Sequence, residues 1–256
     1  MKFTFGIITS GTNDILLENL INSIYLQDIP EFEIIIVGST NIKQTANIIL
    51  IPFDESIRSG WITKKKNIIY NRAKYDNLIM VHDYYLFSKG WYEGFLTFGD
   101  DYDVCVNKIL SISGERYIDY LISPFGLNGL TNRRHFLPYD LKLTPQLSKL
   151  CYISGSYYCI KKHIALRYTY DERLSHNVAE DIELFQRLGS NNITIKFNIF
   201  SEVSIQKYKG RWDWESQMTD DEVNSFISLS ESECNTHFNE HKQALRSFLK
   251  GHNIIL

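Results

Sequence analysis

Three short segments of this chain hold side chains whose types and spacing suit them to chemistry. The first is His82-Asp83-Tyr84-Tyr85, which ends the apolar run Asn77–Val81. A carboxylate at the end of such a run can hold a hard divalent cation, with His82 as a second ligand, or accept hydrogen bonds from hydroxyl groups. The second is Lys66-Asn67, near the start of a helical pattern, where an ammonium group can meet a phosphate as a point charge. The third is Glu180-Asp181-Ile182-Glu183-Leu184-Phe185-Gln186-Arg187-Leu188, in which Asp181 can take up a proton. Thr9 and Asp54 end two further apolar runs, Arg133 interrupts an aromatic-rich stretch, and Trp212 and Trp214 flank Asp213.

Each residue also has a plain structural reading. Asp83 is a common turn former. Lys64-Lys65-Lys66 reads equally as a solvated face, Glu180 as the partner of Asn177 in a capping box, and Arg133-Arg134 as a surface pair. The tryptophans read equally as core. Cys234, His237 and His241 share one helical side, but no fourth metal ligand accompanies them and His241 falls on an apolar stripe.

Such residues need a frame that gathers strand ends. Phe3–Thr9 is a β-branched and aromatic run closed by Ser10-Gly11-Thr12-Asn13. Leu16, Leu20 and Ile24, with Leu17 and Ile21, form the stripe of a helix that Asn13 or Asp14 can cap. Phe32–Val37 and Ile48–Pro52 read as strands, Trp61–Ala73 as a helix, and Asn77–Val81 and Val104–Leu110 as strands again. Unbroken apolar runs alternating with helices predict an α/β chain: a Rossmann-like, mostly parallel sheet flanked by helices. In such sheets ligands sit beyond the carboxyl ends of the strands, so Thr9–Thr12, Gly38–Thr40, Asp54 and His82–Tyr85 face one cleft.

Periodicity fades over 111–150. Strand character returns in Cys151–Ile160 and Ile193–Ser204, with a helix at Asp181–Leu188 between them. Residues 216–256 differ: six acidic side chains precede three basic ones, and Thr219–Glu222 and Ser230–Glu233 fit capping boxes. Cys234, Phe238, His241, Leu245 and Leu249 then form one stripe. We therefore divide the chain into a domain at 1–215 and a C-terminal helical segment at 216–256, packed on the domain or on a partner, a second copy included.

Composition excludes several classes. With 27 basic and 30 acidic residues the net charge is −3, against a dedicated nucleic-acid binder. No run of about 18 apolar residues exists to cross a membrane, and the start at Met1 carries no signal-peptide pattern. Four scattered cysteines without a C-x-x-C pair read as free thiols of a reduced compartment.

The Lys66-Asn67 pair, Ala73 six residues beyond the Asn, the buried run into His82-Asp83, then Asp171-Glu172-Arg173-Leu174 and Glu180-Asp181 with Arg187 six residues on, resemble glycosyltransferase family 2. These are GT-A-fold enzymes that use nucleotide-sugar donors, and the likeness covers residues 3 to about 190. It implies an inverting transferase with a donor, UDP-linked, and a glycan or lipid-linked acceptor. Asp181 would be the general base. Asp83 would hold a divalent cation (Mn²⁺ or Mg²⁺) or the ribose, Thr9 and Asp54 would lie near the nucleoside, Lys66 near the diphosphate, and Asn67 and Arg187 in the donor motifs; Trp212 and Arg133 would meet the acceptor.

Two departures matter. The family's Asp-x-Asp element supplies two carboxylates where His82-Asp83-Tyr84-Tyr85 supplies one, so His82 as ligand, Asp83 alone, and turnover without metal all stay open. The Gln-x-x-Arg-Trp element of processive members is absent; Gln206-Lys207-Tyr208-Lys209-Gly210-Arg211-Trp212 has its residue types at another spacing. The setting so implied is surface-polysaccharide synthesis in the cytoplasm, at the inner face of the cell membrane with peripheral association. Two rivals are a sugar nucleotidyltransferase and a non-catalytic nucleotide- or glycan-binding module. The first should carry a basic Gly-rich loop after the first strand, and Thr9-Ser10-Gly11-Thr12-Asn13 has no base.

Overall fold

The computed structural model describes residues 1–123, 135–210 and 216–255. In chain order its elements are β1 (Phe3–Ile8), α1 (Asp14–Tyr25), β2 (Phe32–Val37), β3 (Ile48–Ile51), α2 (Ile62–Arg72), β4 (Asn77–His82), β5 (Tyr85–Phe87), α3 (Trp91–Phe98) and β6 (Val104–Leu110). There follow β7 (Leu121–Ile122), α4 (Pro145–Ser148), β8 (Cys151–Tyr152), β9 (Tyr157–Lys161), α5 (Lys162–Arg167), α6 (Glu180–Ser190), β10 (Ile195–Ile205), α7 (Asp220–Ile227) and α8 (Glu231–Gly251).

The apolar runs are apolar because both faces of their sheet are covered. Every residue of β1 is buried, as are five of the six in β2 and in β4. Eight strands join in the order β3-β2-β1-β4-β9-β6-β10-β5. All run parallel except β9, which is antiparallel to β4 and β6, and β5, which is antiparallel to β10. The carboxyl ends of β1, β4 and β10 therefore lie on one edge, and Thr9, Asp83 and Gln206 are the residues that leave them.

The sheet departs from the sequence reading in a few places. Cys151–Ile160 is not one strand: β8 pairs with β7 in a separate ribbon, and a turn at Ser154-Gly155-Ser156 separates it from β9. Ile193–Ser204 becomes the single strand β10, with a register break between Asn198 and Glu202. The expected caps at Asn13 and Asn177 do not form; Ala179 precedes α6 in the left-handed region at φ 54°. Asp14 instead accepts from the Thr40 hydroxyl at 2.9 Å and from Asn41. Both capping boxes of the tail are present, at Thr219–Glu222 and Ser230–Glu233.

α3 and β5 go unread in the sequence because their aromatics follow neither period. Trp91 is fully buried, edge-on to Phe87 at 4.9 Å and tilted against Phe95 at 4.6 Å. Its indole N–H donates to the Tyr157 hydroxyl at 3.0 Å. The apolar stripe of α8 is buried within this same chain, and Leu245 and Leu249 cluster with Leu174 and the partly buried Val178 and Ala179 ahead of α6. The tail thus packs on the domain, and the stripe proposed for a second copy is covered without one. No described helix is long and apolar enough to cross a membrane.

Gly94 lets α3 lie flush on β10: a methyl group there would overlap the Phe200 carbonyl and the Ser201 hydroxyl. Because one obstacle is backbone, Gly94→Ala is expected to cost about 1–3 kcal/mol. Thermal unfolding should show Tm lowered on the order of 5 °C; an unchanged Tm would contradict this packing.

Candidate functional site

Two clefts open at the carboxyl edge of the sheet. The first, about 460 Å³, is lined by Thr9, Glu55, Lys65, Asp83, Lys207 and Lys209 among others. The second, about 580 Å³, is lined by Tyr117, Tyr152, Glu180, Asp181 and Phe248 among others. His82, Tyr84, His176 and Lys209 line both, so the two clefts are neighbours across a shared wall.

In the first cleft Asp83 is 6% exposed and accepts the Thr9 hydroxyl at 2.7 Å. Burial raises its pKa, while the Thr9 hydrogen bond and the charges of Lys207, Lys209 and Lys65 oppose the rise. Lys65 is buried; its ammonium donates to the Thr9 carbonyl at 2.7 Å and pairs with Glu55. Lys207 and Lys209 approach the face of Tyr84 at 4.6 and 4.3 Å from its ring centroid. Desolvation at the cleft wall and the charge of Lys207 lower the Lys209 pKa.

In the second cleft Asp181 lies in the first turn of α6, where the helix dipole favours a carboxylate. Its Oδ2 accepts the Gly155 N–H at 3.0 Å and its Oδ1 the Ile182 N–H at 2.8 Å. Beside it the Glu180 carboxyl is buried, and burial together with the Asp181 charge pushes its pKa up to about 7 against the pull of Lys66. Lys66 is 1% exposed; its ammonium donates to the Gly155 carbonyl at 2.8 Å and to the Tyr170 hydroxyl at 3.3 Å. Burial lowers the Lys66 pKa, and Glu180 and Asp181 oppose that. A Cβ on Gly155 would come 2.9 Å from Asp181 Cβ and 3.0 Å from Lys66 Nζ, so only glycine lets the pair close on this turn.

On the shared wall, His82 Nε2 is buried with no hydrogen-bond partner among the described residues. Burial and the charges of Lys66 and Lys209 lower the His82 pKa well below the usual imidazole value, so the ring is neutral.

No family model and no curated protein matches the sequence. Solved structures do match the fold. A crystal structure of S. aureus TarS, residues 1–349, superposes with a TM-score of 0.54 at 14% identity over 98% of this chain and 73% of that one. The same protein in complex with UDP-GlcNAc gives 0.54 at 16% identity, covering 98% and 72%. Its complex with UDP gives 0.53 at 15% identity over the same shares, 98% and 72%. TarS has the GT-A fold. This chain has the GT-A fold.

On the GT-A frame the sequence-predicted residues divide. Thr9, His82 and Asp83 meet at the first cleft and Asp181 stands in the second. Lys66 does not face the first cleft. α2 turns about 100° per residue, which sends Lys65 to the Asp83 side and Lys66 to the Asp181 side. Asn67 exchanges hydrogen bonds with the Tyr170 backbone at 2.8 and 2.9 Å and lines neither cleft. Arg187 pairs with Glu183 at 2.6 Å and donates to the Thr169 carbonyl at 2.8 Å, also away from both. Asp54 is exposed and its Oδ1 accepts from the Ser56 N–H and hydroxyl at 2.9 and 2.6 Å, while its neighbour Glu55 lines the cleft. Arg133 and Trp212 lie outside the described residues.

Lys65, Lys207, Lys209, His176 and Gly155 went unread as site residues. The period-two placement of Lys207 and Lys209 at the end of a strand-like run was a usable signal.

The described residues do not fit the divalent cation that the resemblance implies. Among them the first cleft offers two carboxylates: Asp83, with three lysines around it, and Glu55, which is engaged by Lys65. No group of three His, Cys, Asp or Glu that could hold a metal occurs among the described residues.

Because folding raises the Glu180 pKa from 4.5 to about 7, the folded chain keeps a proton that the unfolded chain has lost in that window. Stability therefore falls as pH rises through it. Glu180→Gln is expected to raise Tm at pH 8 relative to the wild type, with the gap closing by about pH 4.5. Melting curves across this range check it; a variant destabilised at pH 8 would refute the sign.

Proposed function

We propose that this protein is a nucleotide-sugar-dependent glycosyltransferase with the donor in the Asp83 cleft and the acceptor in the Asp181 cleft. The observation that carries the reading is the contact of the two clefts across His82, Tyr84, His176 and Lys209. That arrangement suits a reaction at the boundary of two substrates, where positioning supplies most of the rate.

The donor is UDP-linked in this reading, and the uncharged His82 offers its Nε2 to the sugar on the shared wall. The acceptor hydroxyl gives its proton to an Asp181 oxygen as its oxygen bonds to the anomeric carbon. The bond from that carbon to the β-phosphate breaks with its electron pair left on the leaving diphosphate. A single displacement of this kind inverts the anomeric centre. Tyr84, Tyr117, Tyr152 and Phe248 give the second cleft aromatic walls, which suits the flat faces of a glycan acceptor. A glycan or lipid-linked acceptor in surface-polysaccharide assembly at the inner membrane face fits that chemistry.

A panel of nucleotide sugars assayed for hydrolysis and transfer tests the reading. Asp181→Asn keeps an acceptor for the Gly155 N–H, so its fold and donor affinity should persist within about threefold. Its kcat should fall by about 10²–10⁴, the usual worth of a general base. Undiminished turnover would remove Asp181 from the mechanism. Donor binding with no turnover by the wild type would favour the non-catalytic module.

A further inference from the structure

We propose that the Asp83 cleft receives a nucleoside diphosphate on a cage of three lysines, Lys65, Lys207 and Lys209, in place of a divalent cation. This rests on the transferase reading and deepens it.

Lys207 and Lys209 follow the carboxyl end of β10, which brings them to the edge where β1 and β4 deliver Thr9 and Asp83. The segment is tied in place before the lysines begin. The Gln206 N–H donates to the Tyr84 carbonyl at 2.8 Å, and its side-chain amide to the Leu16 and Tyr85 carbonyls at 2.9 and 3.1 Å. Tyr84 then offers its ring face to both ammonium groups. A ring face holds a cation without neutralising it, and among the described residues neither lysine forms an ion pair. Their charge is left for a ligand.

The charge count agrees. Lys207 and Lys209 together carry the formal charge of one Mg²⁺ or Mn²⁺. Lys65 is balanced by Glu55, and Asp83 offsets one of the remaining charges, so among the described residues the cleft is positive by one. A diphosphate brings two or more negative charges, and ammonium N–H groups give it the charge-assisted donors it needs. A second strong cation here would sit beside two like charges with one carboxylate to hold it. As the sugar leaves, the same ammonium groups stabilise the charge that collects on the β-phosphate.

Calorimetric titration of the full chain with UDP, in EDTA and then in MnCl₂, tests the cage. UDP is expected to bind in EDTA, with Mn²⁺ changing Kd by less than about threefold. Lys207→Met and Lys209→Met should each weaken UDP binding by about tenfold, uridine binding staying within about twofold. The corresponding Arg variants should restore most of the loss. Both sites are at the cleft surface beyond the Gln206 tether, and circular dichroism melts check that the Met variants fold. UDP binding that appears only with Mn²⁺ would overturn the cage and leave the transferase reading standing. So would binding in EDTA that neither Met substitution weakens. No binding of UDP or GDP under either condition would overturn both.

Discussion

A lysine buried to 1% exposure is the constraint from which the second cleft is built. Lys66 has no water to solvate it, and an uncompensated charge in that place is costly. Its compensation comes from three parts of the chain: the Gly155 carbonyl on the turn before β9, the Tyr170 hydroxyl, and the Glu180–Asp181 carboxylates at the start of α6. Satisfying Lys66 therefore fixes the position of Asp181 as well. Gly155 completes the arrangement twice, its carbonyl accepting from Lys66 and its N–H donating to Asp181.

Compensation is incomplete: burial first, and the adjacent Asp181 charge second, raise the Glu180 pKa to about 7 against the pull of Lys66. Asp181 accepts the backbone N–H groups of Gly155 and Ile182, and the Glu180 carboxyl beside it is buried. The tail holds this corner from outside. Leu245 and Leu249 clamp Leu174 and the residues leading into α6, and Phe248 from the same helix reaches the cleft wall.

What could be read from sequence follows from which interactions are local. Burial on both faces of a sheet writes itself as an unbroken apolar run, so β1, β2, β4 and β6 were legible. Capping boxes lie within four residues, and both in the tail were legible too. Lys65 and Lys66 show the limit. Identical neighbours on a helix, they point to different sides, Lys65 into the first cleft and Lys66 into the interior behind Asp181, and no local pattern records that. Arg187 shows the converse, since its place in a motif was visible but its partner Glu183, one turn earlier, takes up its charge. The aromatic core around Trp91 was illegible because its partners, Phe3 and Tyr157 among them, are distant in the chain.

The two clefts also differ in how they treat positive charge, and the difference follows from where the lysines enter. Lys66 comes through the interior and is spent on structure, so the second cleft presents a carboxylate. Lys207 and Lys209 come from a strand end over an aromatic ring, so the first cleft presents cations. His82 stands between them, and burial, joined by the lysine charges on both sides, lowers its pKa. A protonated imidazole there would face Lys66 and Lys209 at once, and its Nε2 has no hydrogen-bond partner among the described residues. The separation of the cationic and anionic clefts is thus set by the exits of β4 and β10 and by the rotation of α2.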